Sequence, residues 1–269
     1  MSSTTADLLG TIVAATERIV EVRAREVSVG ELERRCATAG RQPQGAAFER
    51  ALRTSAAPRV IAECKRRSPS RGILRHDYDP AAHARSYAAA GAAAISVLTE
   101  PTFFDGALEH LEAARAAVSV PLLRKDFVIS RYQLLEAVAS GADAALLIVA
   151  ALDDRTLRQL LDDARALGLA CLVEVHDTTE IARASDAGAR VVGVNSRNLR
   201  TLAVDMDVLD RAASLLPPEV TAVAVSGIKS TEDITRLTAA GYHAFLVGER
   251  LIAQRDPGLA LAALRGVVP

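Results

Sequence analysis

The chain has 269 residues, half of them apolar and 24% charged, and its 32 Lys+Arg stand against 33 Asp+Glu. That balance gives no overall field to attract nucleic acid or an acidic membrane. The apolar half excludes disorder, and no apolar run approaches the roughly 18 residues of a membrane helix. The three cysteines, Cys36, Cys64 and Cys171, are far apart and form no CxxC. They fit a reducing compartment and exclude a disulfide framework or a cysteine zinc site. The N-terminus shows no basic stretch leading into an apolar one, so a cytoplasmic protein without a secretory signal is expected.

In chain order, residues 6–27 carry apolar positions near the helical period. Residues 29–53 suit one or two shorter helices, broken around Gly40, Pro43 and Gly45. Residues 1–57 therefore read as a helical N-terminal extension, too short and too poor in apolar residues to hold a good core alone. From residue 58 to 269 eight β-branched or apolar runs alternate with alanine-rich amphipathic stretches. The runs are RVIAEC, AAISVL, VPLLRK, DAALLIV, ACLVEV, RVVGVN, TAVAVS and HAFLVG. Gly91, Gly141, Gly168, Gly188 and Gly241 stand just before the next strand, where a glycine stops a helix in the left-handed conformation. Asp79 before Pro80, Ser130, Asp177 and Ser230 are residue types that open helices. Eight strand–helix units require parallel strands and predict a single α/β domain, a (β/α)8 TIM barrel with the extension packed on it. An open doubly wound sheet would carry a glycine-rich dinucleotide turn after its first strand; KRRSPSRG stands there instead.

A barrel of this kind works at the C-terminal ends of its strands. Charged residues at the ends of apolar strands are costly unless paired or used. Glu63 and Lys65 share one face of the first strand, while Cys64 points to the other. They are either an acid–amine pair at the mouth or a buried ion pair. Lys125 ends PLLRK as a candidate general acid or a solvated strand end. Glu174, amid apolar residues, is a candidate acid–base group or a partner for a lysine. Asn195, able to donate and accept, is otherwise a turn residue. Ser226-Gly227 and Gly248-Glu249 follow the last two strands, where small residues bring backbone N–H groups near an anion. Ser68 in the first loop could add a donor. Phe103, Phe104, Phe127 and Leu199 either pack or wall an aromatic pocket. The five histidines show no metal-binding spacing, so no metal is expected.

IAECKRRSPSRG resembles the first-strand signature of the indole-3-glycerol phosphate synthase family, usually IAEIKRASPSKG. TEPTFFDG, PLLRKDFVIS, LVEVH, GVNSRNL, SGI and LVGERL resemble its further motifs in order, over essentially the whole chain. The resemblance implies closure of the indole pyrrole ring in tryptophan synthesis, without a cofactor. The substrate would be 1-(2-carboxyphenylamino)-1-deoxyribulose 5-phosphate; the products would be indole-3-glycerol phosphate, CO2 and water. It implies that Lys125 protonates the ketone and that Lys65 holds the carboxylate. Glu174 would serve the dehydration, while Glu63 and Asn195 orient the lysines and substrate hydroxyls. Ser226, Gly227, Gly248 and Glu249 would hold the phosphate with Ser68, and Arg197 matches a family arginine near the site. The only partner expected is this phosphosugar: no nucleic acid, no membrane, and a monomer or weak homo-oligomer.

One departure stands out. The family usually carries Glu before the SerGly of the seventh strand, where this chain has Val225. A lost charge-assisted hydrogen bond is worth roughly 1.5–3 kcal/mol. An impaired or repurposed homologue is therefore the alternative, and Val225→Glu is expected to raise kcat/KM, with no gain counting against that idea. Phosphoribosylanthranilate isomerase, a rival barrel, would use a first-strand cysteine as acid or base, for which Cys64 is the candidate, and would leave both lysines unexplained. A Schiff-base aldolase would want a reactive lysine in a later strand, where Asn195 stands.

Overall fold

The computed structural model describes residues 7–38, 40–199 and 201–267; Ala6, the first residue of the helix expected over 6–27, lies outside them. All eight expected runs are strands: β1 Val60–Cys64, β2 Ala94–Leu98, β3 Leu122–Lys125, β4 Ala144–Ile148, β5 Ala170–Val175, β6 Val191–Asn195, β7 Thr221–Val225 and β8 Ala244–Val247. Each pairs in parallel with its neighbour, and β1 closes on β8, giving a closed barrel. The helices after the strands lie where amphipathic stretches were expected, from Pro80–Ala89 to Pro257–Leu264. The five glycines before strands all have positive φ, between 77° and 108°. Asp79, Asp177 and Ser230 cap their helices through side-chain oxygens. Ser130 occupies an N-cap position but makes no capping bond. Gln133 replaces it, its Oε1 accepting from the Ile129 N–H at 2.8 Å and from the Ser130 hydroxyl.

Strand alternation sorts the side chains. Val60, Ala62 and Cys64 turn outward to the helices, where Cys64 packs with Ala84 and Tyr87. Ile61, Leu123, Leu172, Val223 and Leu246 turn inward and fill the barrel. Each inward set is apolar low in the barrel and becomes polar at its last position on β1, β3, β5 and β6, at Glu63, Lys125, Glu174 and Asn195.

The extension brackets the barrel. Helix Gly45–Thr54 sends Phe48 and Leu52, both fully buried, into the inner core at its N-terminal end. The break expected around Gly40, Pro43 and Gly45 separates this helix from the one before it; Gly45 opens the helix, and a Cβ there would collide with the backbone of residues 168–170. Helix Val29–Thr38 packs on helix Arg131–Ala139, with Glu33 paired to Arg131 at 3.0 Å. Helix Leu8–Glu26 buries Leu9, Ile12 and Thr16 on one face and joins the inner core from the mouth side.

Asp143 ties the extension to the barrel floor. Its carboxylate accepts from the N–H groups of Gln44 at 2.8 Å and Leu122 at 2.9 Å, and pairs with Arg41 and with Arg115 at 3.1 Å. The residue is fully buried. Asp143→Ala would leave four donors unmatched and is expected to cost about 3 kcal/mol in urea unfolding. A loss below 1 kcal/mol would mean that these bonds are replaced by water.

Candidate active site

The C-terminal ends of the strands surround one cavity of about 610 Å3. Lys65, Lys125, Glu63, Glu174, Asn195 and Ser226 line it. Ser68, Arg197, Gly227, Gly248, Glu249, Phe104, Phe127 and Leu199 line it too. All of these meet in one place, although they come from loops and strands scattered from residue 63 to 249; Phe103, the remaining candidate for an aromatic wall, does not line the cavity and packs against the inner core instead.

Two acid–amine pairs form the floor. Lys65 Nζ lies 2.5 Å from Glu63 Oε1. Glu63 is buried against Gly248, where any Cβ would strike its carboxylate, so glycine is required at that approach. Lys125 Nζ stands 3.5 Å from Glu174 Oε2, while Asn195 Nδ2 donates to Glu174 Oε1 at 2.9 Å. Asn195 Oδ1 in turn accepts from the Arg197 N–H at 2.9 Å, which fixes the amide's orientation. Burial alone would raise the pKa of Glu174; Lys125, His176 and Asn195 overcome it and hold the carboxyl at about 2. Burial opposes the Lys125 charge, but Glu174 and Glu63 outweigh it and raise its pKa. At neutral pH the floor therefore presents an ammonium and a carboxylate side by side, the resting state of an acid–base pair.

The rim is cationic and rich in small residues. Ser226 and Gly227 follow β7 with φ of 66° and 75°. A Cβ on residue 227 would strike Met206 and Ser196, so only glycine fits there. A left-handed serine at a cavity mouth is a strained conformation of the kind that collects at working sites. Helix Glu249–Ile252 starts after Gly248, whose carbonyl accepts from the Leu251 and Ile252 N–H groups at 2.9 and 3.0 Å, so the N–H groups of Glu249 and Arg250 precede its first bonded turn. Arg71, Lys229 and Arg250 add positive charge to this side. Glu249 pairs with Arg71 at 2.5 Å and lies 4.0 Å from Arg197, linking the loops after β1, β6 and β8.

The opposite wall is apolar. Phe104 and Phe127 meet with ring centroids 6.2 Å apart, beside Leu199 and Ile148. Leu8 and Ile12 of the extension complete this wall, which the sequence reading did not assign to the site. Glu100, a strand-end acid, is used locally: it accepts three N–H bonds from Thr102, Phe103 and Phe104 at 2.7–3.1 Å. Val225 lines the cavity between Asn195 and Leu246 in an apolar setting. Cys64 faces the helix layer, and burial pushes its thiol far above the ordinary range, so it supplies no acid or base to the cavity.

Fold and site together define a (β/α)8-barrel enzyme with an acid–base centre at its strand ends. The family model for indole-3-glycerol phosphate synthase matches residues 9–264. A relative named indole-3-glycerol phosphate synthase from Nocardioides sp. is 57% identical over 77% of this chain and 80% of its own length. One of the same name from Parafrankia sp. is 52% identical over 90% of this chain and 89% of its own. The chain belongs to the indole-3-glycerol phosphate synthase family. Among solved structures, 3-hexulose-6-phosphate synthase superposes with a TM-score of 0.62 at 16% identity, over 78% of this chain and 100% of that one. Thiamine phosphate pyrophosphorylase from Pyrococcus furiosus gives 0.62 at 16% identity, over 82% and 96%. These two likenesses speak for the fold alone. None of these comparisons favours an impaired homologue. Among the described residues no helix is long and apolar enough to cross a membrane.

Proposed function

We propose that this chain closes the indole pyrrole ring, converting 1-(2-carboxyphenylamino)-1-deoxyribulose 5-phosphate to indole-3-glycerol phosphate, CO2 and water. The observation that carries this reading is one cavity with three different sides: an apolar wall, an ammonium–carboxylate floor and a cationic, small-residue rim. The wall suits the aromatic ring, the floor the ketose, and the rim the phosphate. Lys125 gives its proton to the ketone oxygen as the carboxyl-bearing ring carbon bonds to the carbonyl carbon. Loss of CO2 then restores the aromatic ring. The new hydroxyl takes a proton from the Lys65 ammonium and leaves as water, while Glu174 takes the proton released from carbon as the pyrrole double bond forms. Lys65 holds the carboxylate and assists proton transfer. Glu63 and Asn195 orient Lys65 and Glu174 respectively, as their contacts at 2.5 and 2.9 Å support. Ser68, Ser226, Gly227, Gly248 and Glu249, with Arg197 nearby, hold the phosphate end. Residues 1–57 and 58–269 act as one structural unit, since the extension supplies both the floor plug and part of the wall. Three buried free thiols support a cytoplasmic setting.

The chain has no tryptophan, so indole emission from product rises over a background of tyrosine and phenylalanine only. Adding the substrate and following that emission tests the proposal. No rise, with the substrate still bound in a titration, would refute it.

A further inference from the structure

We propose that His176 is a positioning residue for Glu174: its imidazolium, clamped by Glu180, keeps Glu174 an oriented carboxylate while Lys125 gives up its proton. This rests on the acid–base roles proposed above for Lys125 and Glu174.

The geometry starts from the motif EVHDTTE. Glu174 ends β5 on the inner face, Val175 turns to the helix layer, and His176 follows on the side of Glu174. Asp177 caps helix Thr178–Asp186 by accepting from the Glu180 N–H at 2.8 Å. That capping bond fixes Glu180 in the first turn. Its Oε2 then reaches back, accepting from the His176 backbone N–H at 2.7 Å and lying 3.1 Å from the ring Nδ1. The second ring nitrogen, Nε2, is buried, makes no hydrogen bond, and stands 3.5 Å from Glu174 Oε1. Each ring nitrogen thus faces a carboxylate oxygen. A neutral imidazole has one N–H and one lone pair, so either tautomer would aim a lone pair at an anion. Only the doubly protonated ring suits both sides.

The surroundings leave this cation in place. Glu174 from β5 and Glu180 from the helix are the charged groups that face the ring. Lys125 from β3 approaches Glu174 from its other oxygen, and Asn195 from β6 is neutral. Arg183 of the same helix is turned away, to the carbonyls of Val149 and Leu152 and to Asp154. The turn Val149–Ala151 packed on that helix is apolar. Burial works against the charge, but Glu174 and Glu180 hold the ring's pKa up at about 9.

Glu174 therefore has two cations in the resting site. When Lys125 becomes neutral by protonating the substrate, the imidazolium remains. The carboxylate stays ionised and free to take a proton in the dehydration.

Two measurements on the full chain test this. The first is an NMR titration of the His176 ring, assigned by its absence in His176→Gln. The second is kcat between pH 7 and 10 with the substrate named above. The raised pKa means the cation is present below about pH 9 and lost above it. The ring is expected to titrate there, and kcat to fall with the same midpoint. His176→Gln is expected to run about tenfold slower at pH 7.5 and to lack that fall. Glu180→Gln keeps the ring, and is expected to move both the ring titration and the fall in rate down by about one pH unit. A merely structural role would lower the rate without moving the limb. A ring titrating at its ordinary value near 6.5, or the same limb surviving in His176→Gln, would overturn the proposal. No turnover by the unaltered protein, with the ring still titrating near 9, would refute the synthase reading and leave the ion-pair chain standing.

Discussion

Lys125→Ala is expected to lower kcat by about 10²–10⁴-fold, the usual contribution of a positioned general acid, with substrate binding kept within a few-fold. The ammonium lies in the cavity floor, 3.5 Å from the Glu174 carboxylate. Glu174 raises its pKa against the cost of burial, so the proton is held until a substrate oxygen competes for it. The 3.5 Å separation is loose for a charge-assisted bond, whose usual length is about 2.7–2.9 Å. The amine is therefore free to turn toward a ligand. The variant is expected to stay folded, because Glu174 keeps Asn195 at 2.9 Å and His176 at 3.5 Å after the amine is removed. Single-turnover emission, an unfolding curve and a substrate titration check the three parts. A rate within tenfold of the parent would show that another group protonates the ketone. Weakened binding with an unchanged rate on bound substrate would make Lys125 a binding residue.

How much of this was legible in the sequence follows from where the determining contacts lie. β1 to β8 could be read because each run is fixed locally, by branched side chains and by a stop such as Gly141 or Gly188. The polar residues of the mouth could be read because the barrel turns a strand end into an address: Glu63, Lys125, Glu174 and Asn195 all close their inward sets. Leu8 and Ile12 could not, since helical periodicity marks an apolar face without saying what covers it, and here it is the cavity wall. The pairing of His176 with Glu180 was within reach, four residues apart across a helix start, but its use depends on Glu174 lying 3.5 Å from the far ring nitrogen. The hairpin formed by Arg67–Ser68 and Gly72–Ile73 was missed because two-residue strands carry no periodic signal. Arg124 was missed for a related reason. A cation next to a lysine at a strand end reads as solvated, whereas this one is fully buried.

That buried arginine is where the largest loss of stability is expected: Arg124→Met should cost about 3–5 kcal/mol, the usual result of breaking a buried ion network from one side. The alternation that sends Lys125 into the cavity sends Arg124 into the helix layer. There its guanidinium reaches Asp126 Oδ2 at 2.9 Å and Glu136 Oε2 at 3.0 Å, and donates to Thr99 Oγ1 at 3.2 Å and to the Gln133 carbonyl. Methionine fills comparable space but leaves two carboxylates in a dry site. Asp126 retains the Thr99 hydroxyl at 2.6 Å and the Phe127 N–H at 2.9 Å; Glu136 retains a distant Arg23 at 3.4 Å. Glu136 is therefore the stranded charge, and removing it should restore part of the loss. Arg124→Met/Glu136→Gln is expected to be more stable in urea than Arg124→Met alone, by about 1–2 kcal/mol. Arg124→Lys keeps the charge without the fork and should fall between the parent and Arg124→Met. Equal stability of the single and double variants would show that the arginine acts by packing alone. The coupling, if found, also bears on catalysis: the network grips Asp126, Phe127 and Gln133 on either side of the chain leaving β3, so the backbone that carries Lys125 is fixed from the face opposite its ammonium.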